Sequence, residues 1–388
     1  MPRQLIALPV NQGDAFFFRS GKRRVLVDGG GNKAQLLQLL TQVIGASGYI
    51  DAAICTHADF DHVNGLLGLF LPGATIKVRE VWLPGRWLAR PDLLTHPGAF
   101  FDELFEDTAQ AQFNDEDDLE RQGGELSSRE TFEERNSDRG DELNAPELEE
   151  ILDQASRRGG LPQSPFYWPF WDYVLHLPYS TPSHAQRFAL VADIAQRIRE
   201  LLVGAYQHGA RIRLFDFSAF KRVGVPSGGW PGEFEPVNSR EDRPKSGRSL
   251  SALDYLRLTV SNRESLVFWA PEQANAPCAL FCADSDLGFG MQLKVPSRAP
   301  VVTAPHHGAE SNASAYNVLN TWAASAPGIT WVRSDRLQKK RPGQTFLGLP
   351  QPRFCTRCRF PNVSTQAVRL SVQAGLWQPT GSVSRCIC

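Results

Sequence analysis

The chain has 388 residues, 42% of them apolar and 21% charged, with a formal net charge of −1. That length allows one large domain with insertions or two domains, the apolar share can bury a substantial core, and the near-neutral balance argues against a general nucleic-acid coat protein. Seven cysteines in so long a chain do not make a disulfide scaffold. No apolar run reaches the ~18–20 residues that span a bilayer, and Met1 to Val10 lacks the layout of a secretory leader. The expectation is a soluble cytoplasmic protein with reduced thiols and no membrane partner.

In chain order, Gln4–Val10, Ala15–Phe18 and Arg24–Val27 are expected as short strands, separated by the turns Asn11–Asp14 and Gly21–Lys22. Asp28-Gly29-Gly30-Gly31 is a loop with freedom for positive φ. Leu36, Leu37, Leu39, Leu40 and Val43 predict a helix over Ala34–Ile44. Ile50–Cys55 is a short buried strand ending at Thr56-His57, and a helix is expected to start near Val63. Lys77–Leu83 is a further strand. The composition then shifts: 101–150 is dominated by Asp and Glu, Leu161–Tyr179 is rich in aromatics and Pro, Phe188–Leu202 has helical spacing, and Pro226–Ser249 is a Gly/Pro/Ser/Arg loop. Leu253–Ala270, Ala279–Cys282 and Val301–Ala304 read as strands. The chain thus divides into a core first half (1–84), an insertion (85–250), a core second half (251–345) and a Cys-containing extension (346–388).

His57-Ala58-Asp59-Phe60-Asp61-His62 packs four metal-ligand side chains into six residues at the end of a buried strand. Imidazole and carboxylate together suit Zn²⁺, Mn²⁺ or Fe. Side chains repeat every two residues in an extended segment, so His57, Asp59 and Asp61 can converge while His62 points elsewhere, which allows two metals. The bland alternative is a solvated turn. Asp284, with Asp286 as its competitor, and His306-His307 also stand where strands open into loops. Taken alone, Asp284 reads as well as a turn residue as it does as a ligand, and His306-His307 as well as one buried, hydrogen-bonded histidine beside an exposed one.

The pattern His57-x-Asp59-x-Asp61-His62 resembles the signature of the metallo-β-lactamase superfamily. Asp59 stands where that superfamily usually has His, which resembles the branch containing the hydrolase domain of ComEC-type DNA-uptake proteins. Gly13-Asp14-Ala15, Val25–Gly30, Ala283-Asp284 and Pro305–Gly308 followed by Ser311 agree in order and spacing. The resemblance implies an αββα sandwich with a large mid-chain insertion and a metal site at one edge of the sheets. It implies His57, Asp59, Asp61, His62 and His306 as ligands of one or two divalent ions (Zn or Mn), and Asp284 as a bridging carboxylate. Asp61 would also orient the metal-activated hydroxide. His307 would stand beside the substrate, as proton donor or substitute ligand, and Asp28 would orient the His-rich loop. The superfamily's mid-chain histidine has no clear match among His96, His176, His184 and His208.

The function so implied is a metal-dependent hydrolase, first of all a phosphodiesterase or nuclease acting on nucleic acid or a small phosphodiester. The alternatives are a hydrolase of a small ester, lactone or cyclic nucleotide, or a component of a multi-protein defence system that binds a partner through the insertion. Arg86, Arg90 and Lys339-Lys340-Arg341 read as solvated surface before phosphate contacts. Cys355-x-x-Cys358 and Cys386-x-Cys388 form either a structural Cys₄ zinc knuckle or four unconnected thiols.

Overall fold

The computed structural model describes residues 3–129, 143–157, 182–242, 250–326, 328–336, 341–357, 365–381 and 385–386. In chain order the strands begin with β1 (Gln4–Ala7), β2 (Phe16–Ser20), β3 (Arg23–Val27), β4 (Tyr49–Ile54), β5 (Lys77–Pro84), β6 (Arg211–Asp216), β7 (Glu235–Pro236) and β8 (Arg240–Glu241). They continue with β9 (Phe268–Ala270), β10 (Ala279–Phe281), β11 (Val301–Thr303), β12 (Thr330–Arg333), β13 (Arg353–Cys355), β14 (Val368–Gln373) and β15 (Leu376–Pro379). Among the described residues they form two sheets, ordered β15-β14-β1-β2-β3-β4-β5-β6-β8 and β13-β12-β11-β10-β9-β7. Strands β3 to β6 run parallel, as do β10 to β13.

Alternation along the strands builds the layers. Leu5, Ala7, Phe16, Phe18, Val25 and Val27 face the second sheet and pack on Phe268, Phe281, Val301 and Val332. Their neighbours Ile6, Phe17 and Leu26 face the helices on the other side. This is the period of two expected of a pleated strand, with both faces buried. The outer helices include α1 (Lys33–Ile44) and α2 (Phe60–Leu67). Beyond the second sheet, Leu280, Val302 and Trp331 meet Tyr316 and Leu319 of the helix Ala313–Trp322. The result is the αββα sandwich expected.

Several elements depart from the sequence reading. Leu253–Ala270 is not a run of strands: Ala252–Thr259 is a helix, capped by Ser251 Oγ accepting from Asp254 N–H, and only Phe268–Ala270 is extended. Leu253 and Leu256 at i, i+3 carried that signal. The division at residues 85–250 does not follow the sheets, because β6 and β8 extend the first and β7 extends the second. Similarly, the extension at 346–388 supplies β13 to the second sheet and β14 and β15 to the first. The acidic segment is partly structural. Its helix Glu116–Arg129 packs on Ala252–Thr259, where a Cβ on Gly123 would lie 1.9 Å from the Arg257 carbonyl oxygen. Residues 130–142 and the aromatic stretch Leu161–Tyr179 lie outside the described residues.

One close backbone approach positions the site. The N–H of Gly65 in α2 donates to the Gly30 carbonyl at 2.6 Å, and a Cβ on Gly65 would lie 1.9 Å from the Gly29 oxygen. We predict that Gly65→Ala costs about 1–3 kcal/mol, the usual penalty of overpacking. Gly98→Ala meets nothing within 4 Å in its helix and should stay within about 1 kcal/mol of wild type. Denaturant melts of both variants check this; equal stability of the two would contradict the packing account.

Candidate metal centre

The side chains of interest leave the carboxyl ends of strands in both sheets. Asp28 follows β3, His57 follows β4, Asp284 follows β10, and His306 and His307 follow β11. Crevices at strand carboxyl ends are where open α/β sheets hold ligands. Asp28, Ala283, His306 and His307 all have φ between +46° and +57°. Four non-glycine residues in this sparsely populated region show a backbone shaped by the site rather than by local preference.

Asp28 organises the first group. Its Oδ1 accepts from the Thr56 N–H at 2.9 Å, and its Oδ2 accepts from Thr56 Oγ1 at 2.8 Å and His62 Nδ1 at 2.9 Å. Thr56 Oγ1, having donated to Asp28, accepts from His57 Nδ1 at 3.0 Å. Both imidazoles therefore carry a proton on Nδ1 and turn Nε2 toward the centre. On the opposite wall, His307 Nδ1 donates to Asp14 Oδ1 at 3.0 Å, and its Nε2 lies 3.1 Å from His62 Nε2.

Asp284 stands between these histidines. Its Oδ1 lies 3.2 Å from His62 Nε2 and 3.4 Å from His307 Nε2; its Oδ2 lies 3.4 Å from His306 Nε2 and 4.0 Å from His57 Nε2. Asn312 Nδ2 donates to the Asp284 carbonyl at 2.7 Å, which turns its Oδ1 toward His306 Nδ1 at 3.3 Å. Asp59 Oδ2 is 3.4 Å from His57 Nε2. Asp61 Oδ2 is 3.6 Å from His307 Nε2 and 3.1 Å from Arg341 Nη2. The extended run expected over His57, Asp59 and Asp61 ends at Asp59, the N-cap residue: α2 starts at Phe60, so Asp61 and His62 lie in its first turn, and His62, expected to point elsewhere, turns to the same centre as His57. Asp286 accepts from the Gly288 N–H and is a turn residue at the rim.

The donor set fits a divalent cation. The triads His57/His62/Asp284, Asp61/His62/His307 and Asp14/Asp284/His307 each bring three ligand atoms within 4.8 Å of one another. His57 Nε2, Asp59 Oδ1 and Asp284 Oδ1 are buried without a hydrogen-bond partner, a costly state for polar atoms unless an ion satisfies them. Two Nε2 atoms 3.1 Å apart also need a proton or a cation between them.

The electrostatics agree. Burial opposes protonation of His62 and His307, yet Asp284 with Asp28 raises His62 well above its ordinary value, and Asp284 with Asp14 raises His307 to about 10. Burial would raise Asp61 and Asp284, but the facing histidines, with Arg341 at Asp61, hold both low. His306 is lowered, chiefly by burial.

A cleft of about 750 Å³ opens over His306, walled by Glu120, Arg121, Arg263, Asp286, Glu310 and Arg341 among others. Burial, then Asp59 and Asp284, raises Glu120 to about 9. None of the mid-chain histidines that are described reaches the centre: His96 meets Thr95, His184 meets Thr108, and His208 meets the Gly204 carbonyl. His176 lies outside the described residues.

Asp14, Asn312 and Arg341 were not singled out as site residues from sequence. Asp14 sits beside Gly13, where a Cβ would lie 1.6 Å from the Asp61 carbonyl oxygen; an Asp after a tight glycine turn was the available signal. Arg341 is not solvated surface, since its side chain is only 13% exposed. Arg86 is likewise internal, braced against Glu264 at 2.6 Å, and Arg90 is paired with Asp92 and Glu103. Lys339 and Lys340 lie outside the described residues. Cys386 is held beside the strand that ends at Cys355, its N–H donating to the Arg353 carbonyl, and both side chains belong to one buried cluster; Cys358 and Cys388 lie outside the described residues.

Residues 8–132 match the metallo-beta-lactamase superfamily. The match covers β2 to β5 and the whole His57–His62 segment, and stops before Asp284 and the His306-His307 pair. No curated protein matches the chain. The αββα fold is consistent with that superfamily, whose members are mostly hydrolases, and the His/Asp clusters fit divalent-metal binding; among the described residues no helix is long and apolar enough to cross a membrane.

A pH dependence follows. His62 and His307 have folded pKa values above the unfolded ~6.5, so their protonation stabilises the metal-free fold below that pH. The stabilisation is lost as pH rises toward about 10 for His307. Glu120 acts in the same direction, since a carboxyl raised to about 9 destabilises the fold once forced to ionise. We predict that chelator-treated protein loses melting temperature steadily from pH 6.5 to 9, and that adding Zn²⁺ or Mn²⁺ releases protons and flattens this dependence. Thermal melts and calorimetry in buffers of different ionisation enthalpy check it; a metal-free melting temperature that rises with pH would contradict it.

Proposed function

We propose that the protein is a phosphodiesterase for small substrates, working at a two-metal centre bridged by Asp284. The observation that carries this reading is the disposition of imidazoles around that carboxylate: Oδ2 faces His57 and His306, and Oδ1 faces His62 and His307. His57, Asp59 and His306 would hold one ion, and Asp61, His62 and His307 the other. His307 then serves as a ligand, oriented by Asp14, rather than as a proton donor, and the His306-His307 pair makes good the missing mid-chain histidine. Asp28 keeps its expected part, fixing His62 and, through Thr56, His57. Divalent ions supply Lewis acidity and lower the pKa of water from ~15.7 to ~7.

The cleft favours a small substrate over a polymer. Its lining mixes Asp117, Glu120, Glu125, Asp286 and Glu310 with Arg121, Arg263 and Arg341. No continuous basic track for a phosphate backbone is found among these residues, and Arg86 and Arg90 are engaged in internal ion pairs. The insertion would act as a wall of the site, and docking of a protein partner would fall to other parts of it. The four terminal cysteines remain a candidate structural zinc site, tested by the zinc content of a Cys355→Ser/Cys358→Ser variant.

The test is hydrolysis of bis(p-nitrophenyl) phosphate, a cyclic nucleotide, and single- and double-stranded DNA and RNA, with Mn²⁺ or Zn²⁺. We expect turnover of the small diesters, abolished by Asp61→Ala in a protein that stays folded. The metal-free variant should be less stable than wild type, because Asp61 offsets His307, His62 and Arg341. Cleavage of polymers without turnover of small diesters would overturn the substrate reading; full activity in Asp61→Ala would overturn the site.

A further inference from the structure

Arg341 is a cation in direct contact with the centre that neither ligand set uses. Its Nη2 lies 3.1 Å from Asp61 Oδ2 and its Nε 3.5 Å from Asp335 Oδ2. Asp335 is fully buried and already committed. Its Oδ1 accepts from the N–H groups of Gly13 at 3.1 Å and Arg336 at 2.7 Å, and its Oδ2 faces Arg333 Nη2 at 3.3 Å. Arg333 is locked in turn, donating from Nε to the His307 carbonyl at 2.6 Å. One carboxylate, Asp335, therefore serves two guanidiniums, and Arg341 depends on Asp61 for the rest of its compensation.

An ion held by Asp61 would take up that carboxylate's charge. Arg341 would then be left with a shared claim on Asp335, while its side chain lines the cleft beside His306. The other cations of the cleft are engaged elsewhere. Arg121 pairs with Asp118 and Glu125 on its own helix, and Arg263 donates to Ser128 Oγ. A guanidinium offers a fixed fork of donors that matches two oxygens of a phosphoryl group.

We propose that Arg341 is a specificity-determining residue that binds a non-bridging oxygen of the scissile group, so that the site selects an anionic phosphodiester over a neutral carboxylic ester. This rests on the hydrolase reading above and names what that site prefers. Of the three arginines lining the cleft, Arg341 is the one that touches a residue of the centre, Asp61.

The test uses full-length protein reloaded with Mn²⁺, as wild type, Arg341→Lys and Arg341→Met. Inorganic phosphate binding is measured by calorimetry, and kcat/KM is measured for bis(p-nitrophenyl) phosphate and for p-nitrophenyl acetate. In Arg341→Met we expect phosphate to bind about tenfold more weakly, as for loss of one charge-assisted hydrogen-bonding partner. The diester-to-ester ratio of kcat/KM should fall by a similar factor. Arg341→Lys, which keeps the charge without the fork, should lie between, and carries the test alone if Arg341→Met does not fold. Added guanidinium should restore part of the diester rate in Arg341→Met. Unchanged phosphate affinity, an equal loss on both substrates, or a loss of bound Mn²⁺ in the variants would overturn the proposal. If wild type turns over neither substrate, the hydrolase reading fails while the phosphate titration still decides whether Arg341 binds an anion.

Discussion

The Asp284 carboxylate has four imidazole nitrogens within 4.0 Å, and its burial among them is the constraint on which the rest of the structure depends. A buried charge of this kind is tolerated only when paired and hydrogen-bonded. The surrounding chain is arranged to provide that. Asp28 and Asp14 point His62 and His307 at the centre from behind, and Asn312 does so for His306. The left-handed backbone at His306 and His307 turns two successive side chains toward one carboxylate, which a regular strand or helix does not do. Orphaned acceptors on Asp59 and Asp284 mark where protein partners run out and a cation completes the set.

The same constraint explains how the two sheets are joined. Each contributes candidate ligands at the carboxyl ends of its parallel strands, so the cluster forms only when the sheets pack. Phe16, Phe18, Phe234, Phe268 and Phe281 interlock between them. The helix Glu116–Arg129 lines the cleft over the centre with Asp117, Glu120 and Glu125, so it stands where anything entering the site must pass.

Much of this was legible in the sequence. Short apolar, aromatic and β-branched runs between turn residues revealed β1 to β3, and two His with two Asp within six residues marked the metal segment, because both signals are local. Asp284 was chosen over Asp286 through the resemblance alone, since a turn hides which side chain points inward; the structure turns Asp284 to the histidines and leaves Asp286 accepting from the Gly288 N–H. The helix Ala252–Thr259 was missed because an apolar run fits a buried strand as well as a buried helix. Arg341 was read as part of a surface basic run because its partners, Asp61 and Asp335, are fixed by tertiary structure; Asp61 lies 280 residues away. Likewise, that both His306 and His307 face Asp284 depends on positive φ at non-glycine residues, which no composition rule anticipates.

The central claim is that Asp284 bridges two ions, and a crystal structure of Mn²⁺- or Zn²⁺-soaked protein with anomalous diffraction at the metal edge tests it most directly. The account predicts two anomalous peaks, one flanked by His57, Asp59 and His306 and one by Asp61, His62 and His307, with an Asp284 oxygen on each. An absence of peaks in this cluster under saturating metal, or a single peak that leaves Asp284 uncoordinated, would contradict it.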